Sequence, residues 1–232
     1  MYKYETHLHT RPVSRCAKGS VRESLEFYKK LDYDGVFITN HFLDGNINID
    51  KTKPYAEQIE FYFSDYEEGI KIGKELGLKV FLGVEISEKG TDFLVYGLDK
   101  QWFLDHPEIM EMERSAELQF MMESGALVIQ AHPFRGRHPI RLFHLWVHGV
   151  EIINANAQDL LAYPLAKHYC EHFGLLPFAG SDNHVAGRKP KLAGICCQEP
   201  ITSVENMIEK VKSRQYEIFS TENPIQEEPP CT

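Results

Sequence analysis

Short apolar segments alternate with amphipathic helical segments along the whole chain, and this alternation constrains the fold more than any other feature. Residues 2–9 form the first strand-like segment, and Ser20 with Glu23 forms a capping box for the helix that follows. Pro54 and Gly77 have the positions expected at the start and the end of a long second helix. Such alternation is typical of an α/β fold with a parallel sheet, either open or closed.

The remaining segments continue the same order. Strands are predicted at residues 35–39, 78–86, 92–98, 126–131, 149–154, 175–180, 192–197 and 216–219. Helices are predicted at residues 107–125, at residues 158–173 with a bend or break near Pro164, and after a capping box of Thr202 and Glu205. At roughly 30 residues per strand–helix unit, the chain corresponds to seven or eight units, which suits a barrel. We therefore expect one domain over residues 1–222 and an acidic, proline-rich tail at residues 223–232.

Composition and charge exclude several classes of protein. No run reaches the roughly 18 apolar residues of a membrane span, and the N-terminus lacks the basic start and apolar run of a signal peptide. We therefore expect a cytoplasmic protein without membrane contact. The 25 Lys and Arg residues against 34 Asp and Glu, a formal charge of -9, argue against binding to extended nucleic acid. The five cysteines have no C-x-x-C spacing, which indicates reduced thiols.

Potential metal ligands stand at the ends of five predicted strands. An H-x-H pair, a buried glutamate or a histidine before proline has an ordinary structural explanation when it occurs alone. Together they favour a metal site, because side chains at the C-terminal ends of parallel barrel strands converge on one mouth. The first pair also shares one face of its strand, since side chains alternate with a period of two. The residues are His7, His9, His41, Glu85, His132, Asp182 and His184.

Five short motifs resemble those of the PHP family, named for polymerase and histidinol phosphatase, and they stand in the family's order. They are H-L-H at 7–9, T-N-H at 39–41, G-V-E at 83–85, A-H-P at 131–133 and G-S-D-N-H at 180–184. The resemblance covers nearly the whole chain. It implies an α/β fold of the distorted (β/α)7 TIM-like barrel type, with a centre of two or three metal ions that hydrolyses phosphate esters.

The resemblance also implies a place for each ligand. One ion would be held by His7, His9, Glu85 and Asp182. Glu85 would bridge to a second ion held by His132, and His41 with His184 would help to hold a third.

Three positions depart from the family pattern. Asn40 stands where the family has aspartate, and Arg15 and Cys16 occupy the region of a further histidine. Asp92 stands at another ligand position, just before an L-x-Y-G strand, where a carboxylate can still bind a metal.

This ligand set suits a hydrolytic metal centre. Imidazoles and carboxylates together favour Zn, Mn or Fe over Ca or Mg, so we expect two or three such divalent ions as cofactors. Paired ions can activate a water molecule and neutralise phosphoryl oxygens. Glu85 is predicted to act in catalysis as the bridge, and His184 or His41 is the candidate proton donor to the leaving group.

Ten of the 25 basic residues lie in three loops at the predicted mouth. They are Arg11, Arg15, Lys18, Arg22, Arg135, Arg137, Arg141, Arg188, Lys189 and Lys191. This asymmetry predicts an electropositive entrance for a small anionic substrate, either a phosphorylated metabolite or a nucleotide. Arg15 and Arg135 are the candidates for a phosphate clamp, because a guanidinium group matches a pair of phosphate oxygens.

The sequence therefore predicts a metal-dependent phosphoesterase of the phosphatase or phosphodiesterase type. Two alternatives stay open: an amidohydrolase-like enzyme that cleaves a C–N or ester bond, and a degenerate module that binds metal or an anion without turnover. A separate H-x-x-E-H pattern at residues 168–172 matches an inverted zinc-protease signature. It lacks a third ligand at the usual spacing, and we interpret it as exposed helix residues.

Overall fold

Two five-stranded sheets and the helices that cover them form the protein in a computed structural model that describes residues 1–136, 139–157, 161–187 and 190–222. The strands are β1 (Tyr2–Leu8), β2 (Gly35–Ile38), β3 (Lys79–Leu82), β4 (Val84–Glu88), β5 (Thr91–Tyr96), β6 (Leu127–Ala131), β7 (Gly149–Asn154), β8 (Leu176–Gly180), β9 (Lys191–Cys197) and β10 (Glu217–Glu222). The α-helices are α1 (Val21–Lys30), α2 (Tyr55–Leu76), α3 (Lys100–Asp105), α4 (Arg114–Glu123), α5 (Ala162–His172) and α6 (Val204–Lys212), and Pro107–Glu111 is a 3-10 helix. The predicted tail at 223–232 lies outside the described residues.

The sheets are mixed, so the expectation of a wholly parallel sheet is wrong. The first sheet has the order β10-β9-β1-β2-β3 and the second β4-β5-β6-β7-β8. Strands β1-β2-β3 and β6-β7-β8 pair in parallel, whereas β4-β5-β6 and β1-β9-β10 pair antiparallel. Only Lys89 and Gly90, both with positive φ, connect β4 to β5. A turn of this length reverses the chain directly, without the crossover helix that a parallel pair needs.

The α/β class is confirmed, but the barrel is not, because the described strands form two separate sheets. The segment predicted as one strand at 78–86 is interrupted at Gly83, where a Cβ atom would lie 2.6 Å from Thr39 Cγ2. Residues before Gly83 pair with β2, and residues after it pair with β5. Isolated bridges, His41 with Glu85 and Leu8 with Asn183, link the two sheets. Predicted site residues therefore lie where the sheets meet.

Local signals placed two helices correctly. Ser20 and Glu23 form both hydrogen-bond arms of a capping box at α1. Gly77 ends α2 in the left-handed conformation, with φ of 63°.

Three other helix predictions need correction. The helix predicted at 107–125 is divided into the 3-10 helix and α4, while α3 precedes it. The N-cap of α6 is Ser203, whose side chain accepts from the backbone N–H of Asn206, rather than Thr202. Pro164 lies in the first turn of α5, where its missing N–H has no helical partner, and α5 begins at Ala162. Residues 158–160 of the predicted helix lie outside the described residues.

Buried aromatic residues hold the first sheet against the second. Phe37 and Phe81 stack with ring centroids 4.8 Å apart, and the edge of Tyr96 meets Phe37 at 5.5 Å. The Tyr96 hydroxyl donates to the backbone oxygen of Thr6 in the neighbouring sheet. Within the described part of the chain, no helix has both the length and the apolar character needed to span a membrane.

Candidate metal centre

His7 and His9 begin the site at the end of β1. Both side chains are fully buried, and their Nε2 atoms lie 3.1 Å apart. They share a face because the strand's side chains alternate. The His7 Nδ1 atom faces Glu151, and the His9 Nδ1 atom faces the Ser14 hydroxyl at 3.2 Å. These outer contacts direct both Nε2 atoms toward the centre of the cluster.

Glu85 lies in the middle of the cluster. Its Oε1 atom is 3.2 Å from His7 Nε2, and its Oε2 atom is 3.3 Å from His9 Nε2 and 2.7 Å from His41 Nδ1. Among the described residues, neither carboxylate oxygen nor His41 Nδ1 has a partner with hydrogen-bond geometry, although Glu85 is 1% exposed. An ionised carboxylate in such a place is costly unless its lone pairs are used.

His132 and Asp182 complete the buried part of the cluster. His132 Nε2 is 3.5 Å from Glu85 Oε1, and Asp182 Oδ1 is 3.4 Å from His9 Nε2. Both residues have positive φ values, 27° for His132 and 50° for Asp182, a conformation that costs free energy outside glycine. Asp92 lies at the edge of the cluster, 3.8 Å from His132 Nε2.

His41 and His184 lie on the more accessible side of the cluster. Their rings stack against His9, with centroids 4.4 and 4.3 Å from its ring. Cys16 occupies the region where the family has a further histidine. Burial raises the pKa of the Cys16 thiol, but the neighbouring His184 and His41 lower it to about 6.

The cluster is electrostatically coupled. Burial lowers the pKa of His7, but Glu151, Asp182 and Glu85 together raise it well above its usual value. Burial raises the pKa of Glu85, but the charges of His41, His7 and His9 hold it well below its usual range. For His9, burial and the neighbouring histidines both lower the pKa. The histidine charges therefore favour the ionised form of Glu85, whereas burial raises the pKa of Asp92 at the edge of the cluster.

The donor atoms fit divalent metal ions. Three groups have ligand atoms within 4.8 Å of one another: His7, His9 and Asp182; His7, Glu85 and His132; and His9, His41 and His184. Nitrogen and carboxylate donors with partnerless buried oxygens are the chemistry that a bound ion would satisfy. The cluster could therefore hold metal ions, and the three groups include seven of the eight residues predicted as ligands, with Asp92 at their edge.

Glu151 is the main residue that the sequence analysis missed. Its Oε1 atom lies 3.0 Å from His7 Nδ1, and its Oε2 atom accepts from the His132 backbone N–H and the Asn154 amide. A signal was present, because Gly-Val-Glu at 149–151 repeats the Gly-Val-Glu at 83–85 at the start of another buried strand. Asn156, which donates to Asp182 Oδ2 at 3.1 Å, carries no comparable signal.

Asn40 belongs to a buried network behind the metal-type residues. Its amide nitrogen donates to Asp65 Oδ2 at 3.0 Å, and its amide oxygen accepts from the Thr10 N–H and the Ser14 hydroxyl. An aspartate at position 40 would face the Asp65 carboxylate. Asparagine at position 40, where the family has aspartate, therefore suits this chain because its amide can donate to the carboxylate of Asp65.

The cationic loops agree only in part with the predicted electropositive entrance. Arg135 Nη1 lies 3.1 Å from Asp182 Oδ2, so this side chain reaches the cluster. The side chain of Arg15 is exposed, and its role as a clamp stays a prediction. Arg11, Arg22 and Arg141 instead form ion pairs with Glu23, Glu75 and Glu88. Arg137, Arg188 and Lys189 lie outside the described residues.

The H-x-x-E-H residues His168, Glu171 and His172 are exposed on α5, as interpreted from the sequence. Glu171 lies 3.9 Å from Lys167 one turn earlier, a spacing typical of a solvated helix surface.

No protein-family model matches the sequence, and no curated protein matches it in sequence. Solved structures do match. A two-domain protein from Bacteroides vulgatus, containing a predicted PHP-like metal-dependent phosphoesterase, superposes with a TM-score of 0.64 at 16% identity over 94% of this chain. This chain spans 64% of that protein's length.

Two further structures match along nearly their whole length. A proposed metal-dependent phosphoesterase from Bifidobacterium adolescentis has a TM-score of 0.54 at 14% identity, over 92% of this chain and 96% of its own. An amidohydrolase from Chromobacterium violaceum, with bound sulfate and no metal, has a TM-score of 0.54 at 13% identity, over 94% and 97%. The chain therefore has a PHP-like fold, similar to that of PHP-like metal-dependent phosphoesterases.

Proposed function

We propose that the protein is a metal-dependent phosphoesterase that hydrolyses a small phosphorylated substrate. The observation that carries this proposal is the position of Glu85, which is buried and surrounded by His7, His9, His41 and His132. Within the described part of the chain, neither of its carboxylate oxygens has a hydrogen-bond partner. When bound, two or three Zn, Mn or Fe ions would supply water activation and charge neutralisation of the phosphoryl group.

Each predicted residue has a specific task in this proposal. His7, His9, Glu85, Asp92, His132 and Asp182 would hold the ions in the buried part of the cluster, and His41 with His184 would do so on its accessible side. Arg135 would orient the substrate anion, because it already reaches Asp182 from a loop at the cluster. Arg15 would supply a second cation from the loop that follows β1. His184 or His41 would deliver a proton to the leaving oxygen, since both are partly exposed.

Cleavage of a C–N or ester bond is the second candidate function. It is favoured by one comparison, because the Chromobacterium protein of similar fold is described as an amidohydrolase. The sulfate bound to that protein is a tetrahedral anion, which agrees equally with a phosphate-binding site. Only substrate tests separate the two chemistries.

Metal analysis and a substrate panel test the proposal. Protein purified without chelator should contain at least one tightly bound transition metal per chain, and it should release phosphate from phosphomonoesters faster than it cleaves amides or carboxyl esters. Glu85→Gln should lower kcat/KM by more than about 100-fold, with Glu171→Gln on exposed α5 as the matched control. Near-normal turnover by Glu85→Gln, or metal-free active protein, would contradict the proposal.

A further inference from the structure

A cavity of about 310 Å³ adjoins the cluster on the side of β7 and α5. His132, Arg135 and Glu151 are among its lining residues, so it adjoins the residues of the candidate metal centre. Its volume falls within the range of about 300–1,000 Å³ that small-molecule pockets occupy. A second cavity beside Asp92 and Gly136 measures about 150 Å³, which is below that range.

The walls of the larger cavity are mainly apolar. Ile153, Ala155, Ala162 and Ala166 contribute to them, and the small alanine side chains are what leave the space open. Asn154, Lys191 and Ser220 are polar exceptions in the lining. Water in a cavity with apolar walls makes few hydrogen bonds there, so an apolar ligand group that replaces it gains affinity.

We infer that this cavity binds the organic group of the substrate, and that the substrate is a phosphomonoester with a compact apolar group rather than a polyol or sugar phosphate. The inference rests on the proposed function, because it assumes that the phosphoryl group lies at the metal cluster. Arg135 lines the cavity and also contacts Asp182, so it stands at the junction where the phosphoryl group and the organic group would meet.

Two phosphonates that differ only in the hydrocarbon separate this inference from the proposed function. We expect zinc-loaded protein to bind phenylphosphonate at least about tenfold more tightly than methylphosphonate in calorimetric titrations, because one or two apolar groups in a fitted pocket give discrimination of this size. Equal affinities would overturn the pocket and leave the phosphoester centre intact. Failure of both ligands to bind would overturn the pocket and the phosphoester centre together.

Filling the cavity provides the matched test. Ala162→Phe, at the half-exposed start of α5, should lower the affinity for phenylphosphonate about tenfold and leave that for methylphosphonate unchanged. Ala116→Phe, on the exposed face of α4, is the control for the same change in size. Ala155→Leu offers a second filling variant if the first does not fold. Equal loss of both ligands, or no loss in either filling variant, would overturn the assignment.

Discussion

Glu151 controls which nitrogen of His7 carries the proton, and Glu151→Gln tests this control. When His7 is neutral, as metal binding requires, its Nδ1–H would donate to Glu151 Oε1 at 3.0 Å, which leaves the Nε2 lone pair directed at the cluster, 3.2 Å from Glu85. The other oxygen of Glu151 accepts two hydrogen bonds, from the His132 N–H at 3.1 Å and the Asn154 amide at 2.7 Å.

Those two donors determine the orientation of the amide that Glu151→Gln introduces. The oxygen of the new amide must face His132 and Asn154, so its NH2 group faces His7 Nδ1. His7 Nδ1 then becomes the acceptor, and the proton moves to Nε2, where it blocks the lone pair that a metal ion needs. Loss of an outer carboxylate of this kind lowers metal affinity about 10–100-fold, or about 1.4–2.7 kcal/mol.

Chelator-competition titration with Zn²⁺ measures this loss directly. Glu117→Gln is the matched control, because Glu117 is also a buried glutamate but pairs with Arg114 on α4 instead of a cluster histidine. Circular dichroism should show that both variants are folded. If folded Glu151→Gln binds Zn²⁺ within about twofold of the wild type, far below the loss expected for an outer carboxylate, the argument from the His7 tautomer is refuted.

Three further predictions concern protons and charge at the same site. Metal binding should release protons, because His7, His41 and His132 have raised pKa values and must be neutral to bind an ion. The binding enthalpies measured by calorimetry should therefore differ between Tris and PIPES buffers, and the affinity for the metal should fall as pH falls. Identical enthalpies in both buffers would contradict this. In metal-free protein, the rate of Cys16 alkylation by iodoacetamide should rise with pH, with a midpoint near pH 6, and His184→Ala should move that midpoint upward. A midpoint near about 8.5, the pKa of a free thiol, would contradict the effect of the two histidines on Cys16. Asn40→Asp should lower stability by about 1–3 kcal/mol in thermal unfolding, because its new carboxylate faces Asp65, and the added change Asp65→Asn should restore much of the loss. An unchanged melting temperature in the single variant would disprove the role of this pair.

Several features of the fold could be predicted because they depend on neighbours in the chain. The capping box at Ser20 and the left-handed C-cap at Gly77 are satisfied within one helical turn. The position of ligand-type residues at strand ends is also local, since it requires only the strand's limits and its period of two. The ligand-type residues predicted at the strand ends therefore lie close together, with Asp92 at the edge of the cluster, and their role as metal ligands stays a prediction.

Other features could not be predicted because they depend on which segments pack together. The division of the apolar segment at Gly83 follows from its pairing, with β2 before this glycine and with β5 after it, and a Cβ atom there would lie 2.6 Å from Thr39 Cγ2. The ion pairs of Arg22 with Glu75 and of Arg141 with Glu88 join residues 53 positions apart, so a count of loop charges overestimated the positive entrance. The sequence gives the number of charged residues in each loop, but only the folded structure shows which of these charges are neutralised by an ion pair.

The sequence by itself determined the alternation of strands and helices and the ligand-type residues at the strand ends, because hydrophobic period, caps and side-chain chemistry are properties of short segments. The tertiary structure alone decided that the strands divide into two mixed sheets, that Glu151 orients His7 across 144 positions of sequence, and that an apolar cavity opens beside the cluster. These three features depend on packing between segments that are far apart in the sequence, and such contacts form only when the two sheets pack together.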